Sequence, residues 1–104
     1  MEIREYIEKE TGIPTAEVAF AQPQTLPFIA IIDSVAEDGD DFHPRTTEHN
    51  LTVELYAERI DAEAERKLEN ALRGKGWKCT KERTWISAEK MFETVYTTNF
   101  MEKR

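Results

Sequence analysis

An unbroken run of five apolar residues, 28–32, restricts the fold of this chain more than any other feature. It reads Phe-Ile-Ala-Ile-Ile and is far shorter than the roughly 20 residues that cross a bilayer. Short runs rich in β-branched residues are typical of strands that are covered on both faces. We therefore expect a strand here. If the core covers only one of its faces, we expect the other face to be buried when the protein assembles.

Two amphipathic helices are predicted. The first spans residues 2–11, where apolar residues recur at helical spacing, and Gly12 ends it. The second is capped by Asp61 and ends at Gly74 and Gly76. The residues expected to be buried on it are Ala64, Leu68, Ala71 and Leu72.

The remaining periodic segments predict further strands. Leu51, Val53 and Leu55 alternate with polar neighbours, which is typical of a half-buried strand. The other expected strands are residues 15–21, 77–80 and 92–98, with a turn at 87–90. This order predicts one α+β domain over residues 1–104, with a mostly antiparallel sheet of four to five strands and two helices on one face. A crossover around the second helix is compatible with the order.

Residues 34–50 are polar and rich in acids, and we expect them to form a flexible loop. Loops of this length are usually functional or disordered. A calcium loop with Gly39 at its sixth position would need an oxygen ligand at Ala36, so that motif fails. The segment is interpreted as a solvated acidic loop. A small intracellular metal- or ligand-binding domain that uses this loop remains the alternative.

No catalytic motif is apparent. His43 and His49 lie six residues apart without a cysteine partner, so zinc spacing does not fit. His43 and Asp41 could exchange a proton, but neighbours in a loop are not a positioned pair. Cys79, close to Trp77 in an expected strand, is interpreted as a core residue. The sequence therefore predicts no catalytic residue, no cofactor and no metal, and the protein is not expected to be an enzyme.

The charge balance bears on partners. Twenty-one acidic residues against fourteen basic ones give a net charge of −7. This argues against specific nucleic-acid binding and against an anionic membrane, because both are bound through Lys and Arg. Trp85, Tyr96 and Phe100 are accordingly interpreted as core or interface residues. The single cysteine, Cys79, excludes an intramolecular disulfide.

Three segments carry a resemblance to a known family. They are residues 26–29 (LPFI), residues 54–56 (ELY) followed by Asp61, and residues 85–92 (WISAEKMF) with Val95 and Tyr96. In this order they resemble small tail proteins encoded by siphophages and prophages of Gram-positive bacteria. Residues 40–45 depart from the family, because acidic and polar residues stand where it has aromatic and apolar ones.

The resemblance implies the tail-terminator and tail-completion fold and a structural role. Copies would form a ring, expected to be sixfold, that terminates the tail tube and joins it to the head. The implied partners are other copies, the major tail protein and the head–tail connector, in a virion tail assembled in the bacterial host cytoplasm. The residues expected at the ring interface or lumen are Glu37, Asp38, Asp40, Asp41, Phe42 and Trp85. Acids facing the lumen would repel DNA.

Overall fold

Two helices and five strands make up the described part of the protein. The structure is a computed structural model that describes residues 2–17, 25–38 and 46–103. The elements in chain order are α1 Ile3–Thr11, β1 Thr15–Glu17, β2 Phe28–Asp38, β3 Thr46–Ala57, α2 Ala62–Gly74, β4 Thr80–Ile86 and β5 Met91–Lys103. The expected 15–21 strand is thus present at 15–17, and its remainder lies outside the described residues.

The five strands form one sheet in the order β1-β2-β3-β5-β4. Among the described strands, β1 and β2 pair in parallel, and the other neighbouring pairs are antiparallel. Since β3 and β4 are both antiparallel to β5, they run in the same direction, and α2 carries the chain from one to the other. The predicted fold class is confirmed, and the crossover around α2 places β5 between the two strands that the helix connects.

Alternation along β3 sets the two faces of the sheet. Its alternate residues from Thr47 to Ala57 are buried, and those between them are more exposed. Because successive side chains point to opposite faces, one face of β3 enters the core, as predicted for Leu51, Val53 and Leu55. The core joins that face to the helices; its residues include Ile7, Leu68, Leu72, Ile29, Ile31 and Tyr96. We call this side the helix face.

Both helices begin or end as the sequence predicts. Gly12 has a φ of 72° and donates its amide to Glu8 O at 2.8 Å, which closes α1 in the left-handed conformation that favours glycine. The Asp61 carboxylate accepts from the Ala64 amide at 3.0 Å and so caps α2. The residues expected to be buried on α2 are all buried.

The predicted loop 34–50 is wrong at both ends. Residues 34–38 pair with residues 46–50 in the β2–β3 ladder, and β5 runs alongside to Lys103 opposite Thr46. A ladder uses backbone groups, so polar segments extend it once the apolar parts of the same strands are in register. Residues 39–45 lie outside the described residues. We call residues 34–38, 46–50 and 99–103 the arm.

The arm makes the molecule long. The protein measures 52 Å by 26 Å by 22 Å. Its radius of gyration of 15.0 Å exceeds the roughly 13 Å expected for a compact chain of this length.

The expected fourth strand starts three residues later than predicted. Residues 77–79 lie outside β4, because Gly76 at a φ of 75° turns the chain after α2. The Trp77 amide still donates to Leu72 O at 3.3 Å, and its ring packs against the core. The turn at residues 87–90 and the final strand are confirmed, and β5 runs from Met91 to Lys103.

One carboxylate is buried between α2 and the sheet. Glu65 is 5 % exposed and accepts hydrogen bonds from Lys81 Nζ at 2.8 Å, Arg83 Nη2 at 2.7 Å and Thr94 Oγ1 at 3.1 Å. Burial alone would raise the Glu65 pKa, but the bonds from Arg83 and Lys81 outweigh it and lower the pKa to about 2. The contact ties the first turn of α2 to β4 and β5.

Replacing Glu65 by Gln should lower the free energy of unfolding near neutral pH by about 2 kcal/mol, because Arg83 and Lys81 lose their buried counter-charge. A carboxyl whose pKa is lowered by folding stabilises the fold at pH values above its pKa in the unfolded chain. This stabilisation is lost as the pH falls towards 2. The difference between Glu65→Gln and wild type should therefore shrink in acid, as measured by urea unfolding. Glu63→Gln, an exposed change in the same helical turn, is the control. An equal loss in both variants, or a loss that does not change with pH, would contradict this role.

Candidate functional site

Three stacked rings join the base of the arm to the turn after α2. The His49 ring lies on the Phe100 ring with centroids 4.5 Å apart and an interplanar angle of 6°. The Trp77 ring stacks on Phe100 at 4.6 Å and 17°. Because the rings come from β3, β5 and the segment after α2, we call this arrangement the ring stack.

Both nitrogens of His49 face carboxylates. Nδ1 lies 2.8 Å from Asp33 Oδ2 on β2, and Nε2 lies 3.2 Å from Glu102 Oε1 on β5. Burial of the ring alone would lower the His49 pKa, but the hydrogen bonds to Asp33 and Glu102 outweigh it and raise the pKa above its usual value. The protonated ring can donate to both carboxylates and so links three adjacent strands.

This cluster corrects the loop position predicted for His49, which lies in β3 and is 9 % exposed. The carboxylates of Asp33 and Glu102 sit on opposite sides of the ring, so the three groups form a row and do not converge on one point. Across residues 2–17, 25–38 and 46–103, no group of three His, Cys, Asp or Glu side chains is arranged to hold a metal ion. His43 and Asp41, considered above and not expected to act as a pair, lie outside these residues.

Cys79 is half-buried and packs against the core, as expected. Burial raises the pKa of its thiol. A raised thiol pKa disfavours the thiolate that a nucleophile requires.

The second face of the sheet carries apolar and aromatic side chains and, among the described elements, no helix. By the strand register these residues include Phe28, Ala30, Ile32, Tyr56, Ile86, Met91, Val95 and Met101. Phe28 and Tyr56 stack at 4.9 Å. Ile32 is 42 % exposed and Met101 58 % exposed. We call this surface the open face.

Two carboxyl groups lie close together on the open face. Tyr56 donates its hydroxyl to Glu93 Oε2 at 2.7 Å. Burial, followed by a hydrogen bond with Glu93 and repulsion from it, raises the Glu54 pKa to about 7. Glu54 is therefore protonated below neutral pH, so this part of the open face carries less charge than its sequence suggests.

The residues expected at an interface or lumen fall at two ends of the sheet. Trp85 pairs with Phe92, is 48 % exposed and contacts the Phe92 ring at 4.8 Å. Glu37 and Asp38 pair with residues 47 and 46 near the end of the arm. Ala57, which pairs with Phe92, and Thr47 are ten residues apart on β3, a span of about 33 Å. The structure thus does not bring Trp85 together with Glu37 and Asp38.

Asp40, Asp41 and Phe42 lie outside the described residues. The interface or lumen role of the whole set stays a prediction. No described helix is both long enough and apolar enough to cross a membrane.

The His49 pKa should lie above about 6.5 in the folded protein, measured by NMR titration of its ring signals with His43→Asn to assign them. Asp33→Asn should lower it. Because the folded pKa is raised, the contribution of His49 to stability is complete below the unfolded value and is lost as the pH rises through the folded value. His49→Gln should remove that part of the pH dependence. A His49 pKa at or below that of an unfolded chain would contradict the paired arrangement.

Glu54→Gln should stabilise the protein at about pH 8 by roughly 1 kcal/mol and have little effect at about pH 5. A carboxyl whose folded pKa is raised favours folding while it is protonated, and this is lost as the pH rises through about 7. The amide keeps the uncharged form at every pH. Glu48→Gln, on the same face and strand, is the control in thermal unfolding. A stabilisation by Glu54→Gln that is equal at both pH values would contradict the raised pKa of Glu54.

No family model and no curated protein matches the chain. Among solved structures, its fold is similar to that of a chain in a structure described as the virion of a native gene transfer agent particle. The TM-score is 0.64 with 8 % sequence identity, and the match covers 94 % of this chain and 84 % of the other. The likeness establishes a shared α+β fold.

Proposed function

We propose that this protein is a structural component of a phage-like virion and that it acts there as a tail terminator. Copies form a ring, sixfold in the family it resembles, that stops growth of the tail tube and joins the tube to the head connector. Its partners are then other copies, the major tail protein and the connector, in a tail assembled in the bacterial cytoplasm.

The fold likeness to a gene transfer agent virion chain is the observation that carries the proposal. It extends over nearly the whole chain and is independent of the short segments that resemble siphophage tail proteins. Those segments lie in positions the fold defines: residues 26–29 enter β2, residues 54–56 end β3, and residues 85–92 form the β4–β5 hairpin. Two different kinds of similarity thus favour the same kind of protein.

The open face supports assembly into a ring. One face of the sheet packs on the helices, whereas the other presents exposed apolar side chains such as Ile32 and Met101. The face also carries aromatic and methionine side chains, which are enriched at protein interfaces. β4 has β5 as its one neighbour in the described sheet, so its other edge can add a strand from an adjacent copy. Rings close when a patch on each copy meets a different patch on the next.

The proposed role requires shape and charge and no reactive group. Acids at residues 37–41 that face the lumen would repel the DNA passing through it. This placement fails if an assembled ring holds those residues on its outer rim. The role also implies no specific nucleic-acid contact and no membrane contact.

Deleting the gene from its genome and imaging the particles by electron microscopy tests the role. A terminator predicts tubes of uncontrolled length without heads. Tails of normal length that cannot join heads would indicate a joining protein instead. Intact particles with normal tails would contradict the proposal.

Complementation adds a matched pair of variants. Ile32→Asp places a charge on the open face and should fail to restore normal tails, because a buried unpaired charge opposes assembly. Ile60→Asp changes an apolar residue of comparable exposure, 51 % against 42 %, outside the strands and should restore them. Circular dichroism should show both variants folded. Full complementation by Ile32→Asp would contradict a role of the open face in the contact between subunits.

A further inference from the structure

Two grooves of opposite charge flank the ring stack. The first has a volume of about 420 Å³ and lies between the start of α1 and the base of the arm. Four carboxylates line it, from Glu2, Glu17, Asp33 and Glu102, around apolar side chains that include Val35. We call it the acidic groove.

The described residues leave the negative charge of the acidic groove largely uncompensated. Asp33 and Glu102 share one imidazole, that of His49. On the rim, a hydrogen bond with Glu2 and repulsion from it raise the Glu17 pKa, and the nearby Arg4 opposes that shift only in part. A cationic group entering the groove would relieve this repulsion.

The second groove, of about 390 Å³, lies on the other side of the ring stack beside the turn that follows α2. Residues 70–81 contain four Lys and Arg residues and no acid. Lys81 is bound to Glu65 and Glu69, and Lys75 lies over the Tyr6 ring. We call residues 73–78 the basic turn; its Arg73, Lys75 and Lys78 are exposed, and no described carboxylate pairs with them.

We propose that the acidic groove binds the basic turn of a second copy of this chain. The two surfaces are complementary in charge, and every copy carries both. Long cationic side chains also suit the lining, since their aliphatic stems can lie on Ile3 and Val35 while the charged ends reach the carboxylates. The contact is between copies, so it does not rest on the tail role.

Charge reversal on each side tests the contact. Glu2→Lys with Glu17→Lys replaces two of the four groove carboxylates by cations and so cancels the negative charge of the groove, and Arg73→Glu with Lys78→Glu makes the turn acidic. All four residues are exposed. Either double variant alone should associate at least about tenfold more weakly than wild type in sedimentation velocity, and wild-type association should weaken as salt is added.

An equimolar mixture of the two double variants supplies the decisive result. The two substituted positions of the groove then meet substituted turn positions of opposite charge, and the unchanged groove meets the unchanged turn, so association should return towards the wild-type level. Glu58→Lys with Glu89→Lys, an equal charge change elsewhere on the exposed surface, should leave association unchanged. A wild-type protein that stays monomeric at every concentration, or variants that are unaffected or not restored by mixing, would overturn the proposal. These results are independent of the tail phenotype of the gene deletion.

Discussion

The pairing of β3 with β2 and β5 along its whole length is the interaction on which the rest of the structure depends. The ladder with β2 runs without a break from Thr46 to Tyr56, and the ladder with β5 runs from Thr46 to Ala57. A one-residue slip would move Leu51, Val53 and Leu55 from the core to solvent, so burial of these side chains fixes the register. The same register then determines which residues reach the open face and which carboxylates meet His49.

Charged networks complete the packing at two places along the helix face. Glu65 connects α2 to β4 and β5 through Lys81, Arg83 and Thr94. At the base of the arm, His49 connects three strands through Asp33 and Glu102. Both networks depend on protonation, with Glu65 acting as a carboxylate down to low pH and His49 acting as a cation at the acid side of its raised pKa. Both networks should therefore be fully formed in mildly acidic solution, where Glu65 is ionised and His49 is protonated.

Local sequence patterns predict the elements whose apolar residues recur at a regular spacing or whose ends carry a capping residue. The alternation in β3, the buried residues of α2 and the Asp61 cap are of this kind. The sequence does not predict the arm, because residues 34–38 and 46–50 are mostly polar. They are ordered by pairing with each other and with β5, as extensions of strands whose other parts are apolar. The partners of His49 lie 16 and 53 residues away in sequence, and an acid in the first turn of a helix, such as Glu65, is favoured by the helix dipole whether or not it is buried. No local signal in the sequence therefore identifies the partners of His49 or shows that Glu65 is buried.

We propose that the open face of this sheet functions by being buried between protein subunits. A cryo-electron-microscopy reconstruction of the neck of particles whose genome encodes this chain tests it most directly. We expect a ring of copies around the channel, with Ile32 and Met101 covered by a neighbouring subunit. A neck that lacks the protein, or a ring in which the open face remains exposed to solvent, would contradict it.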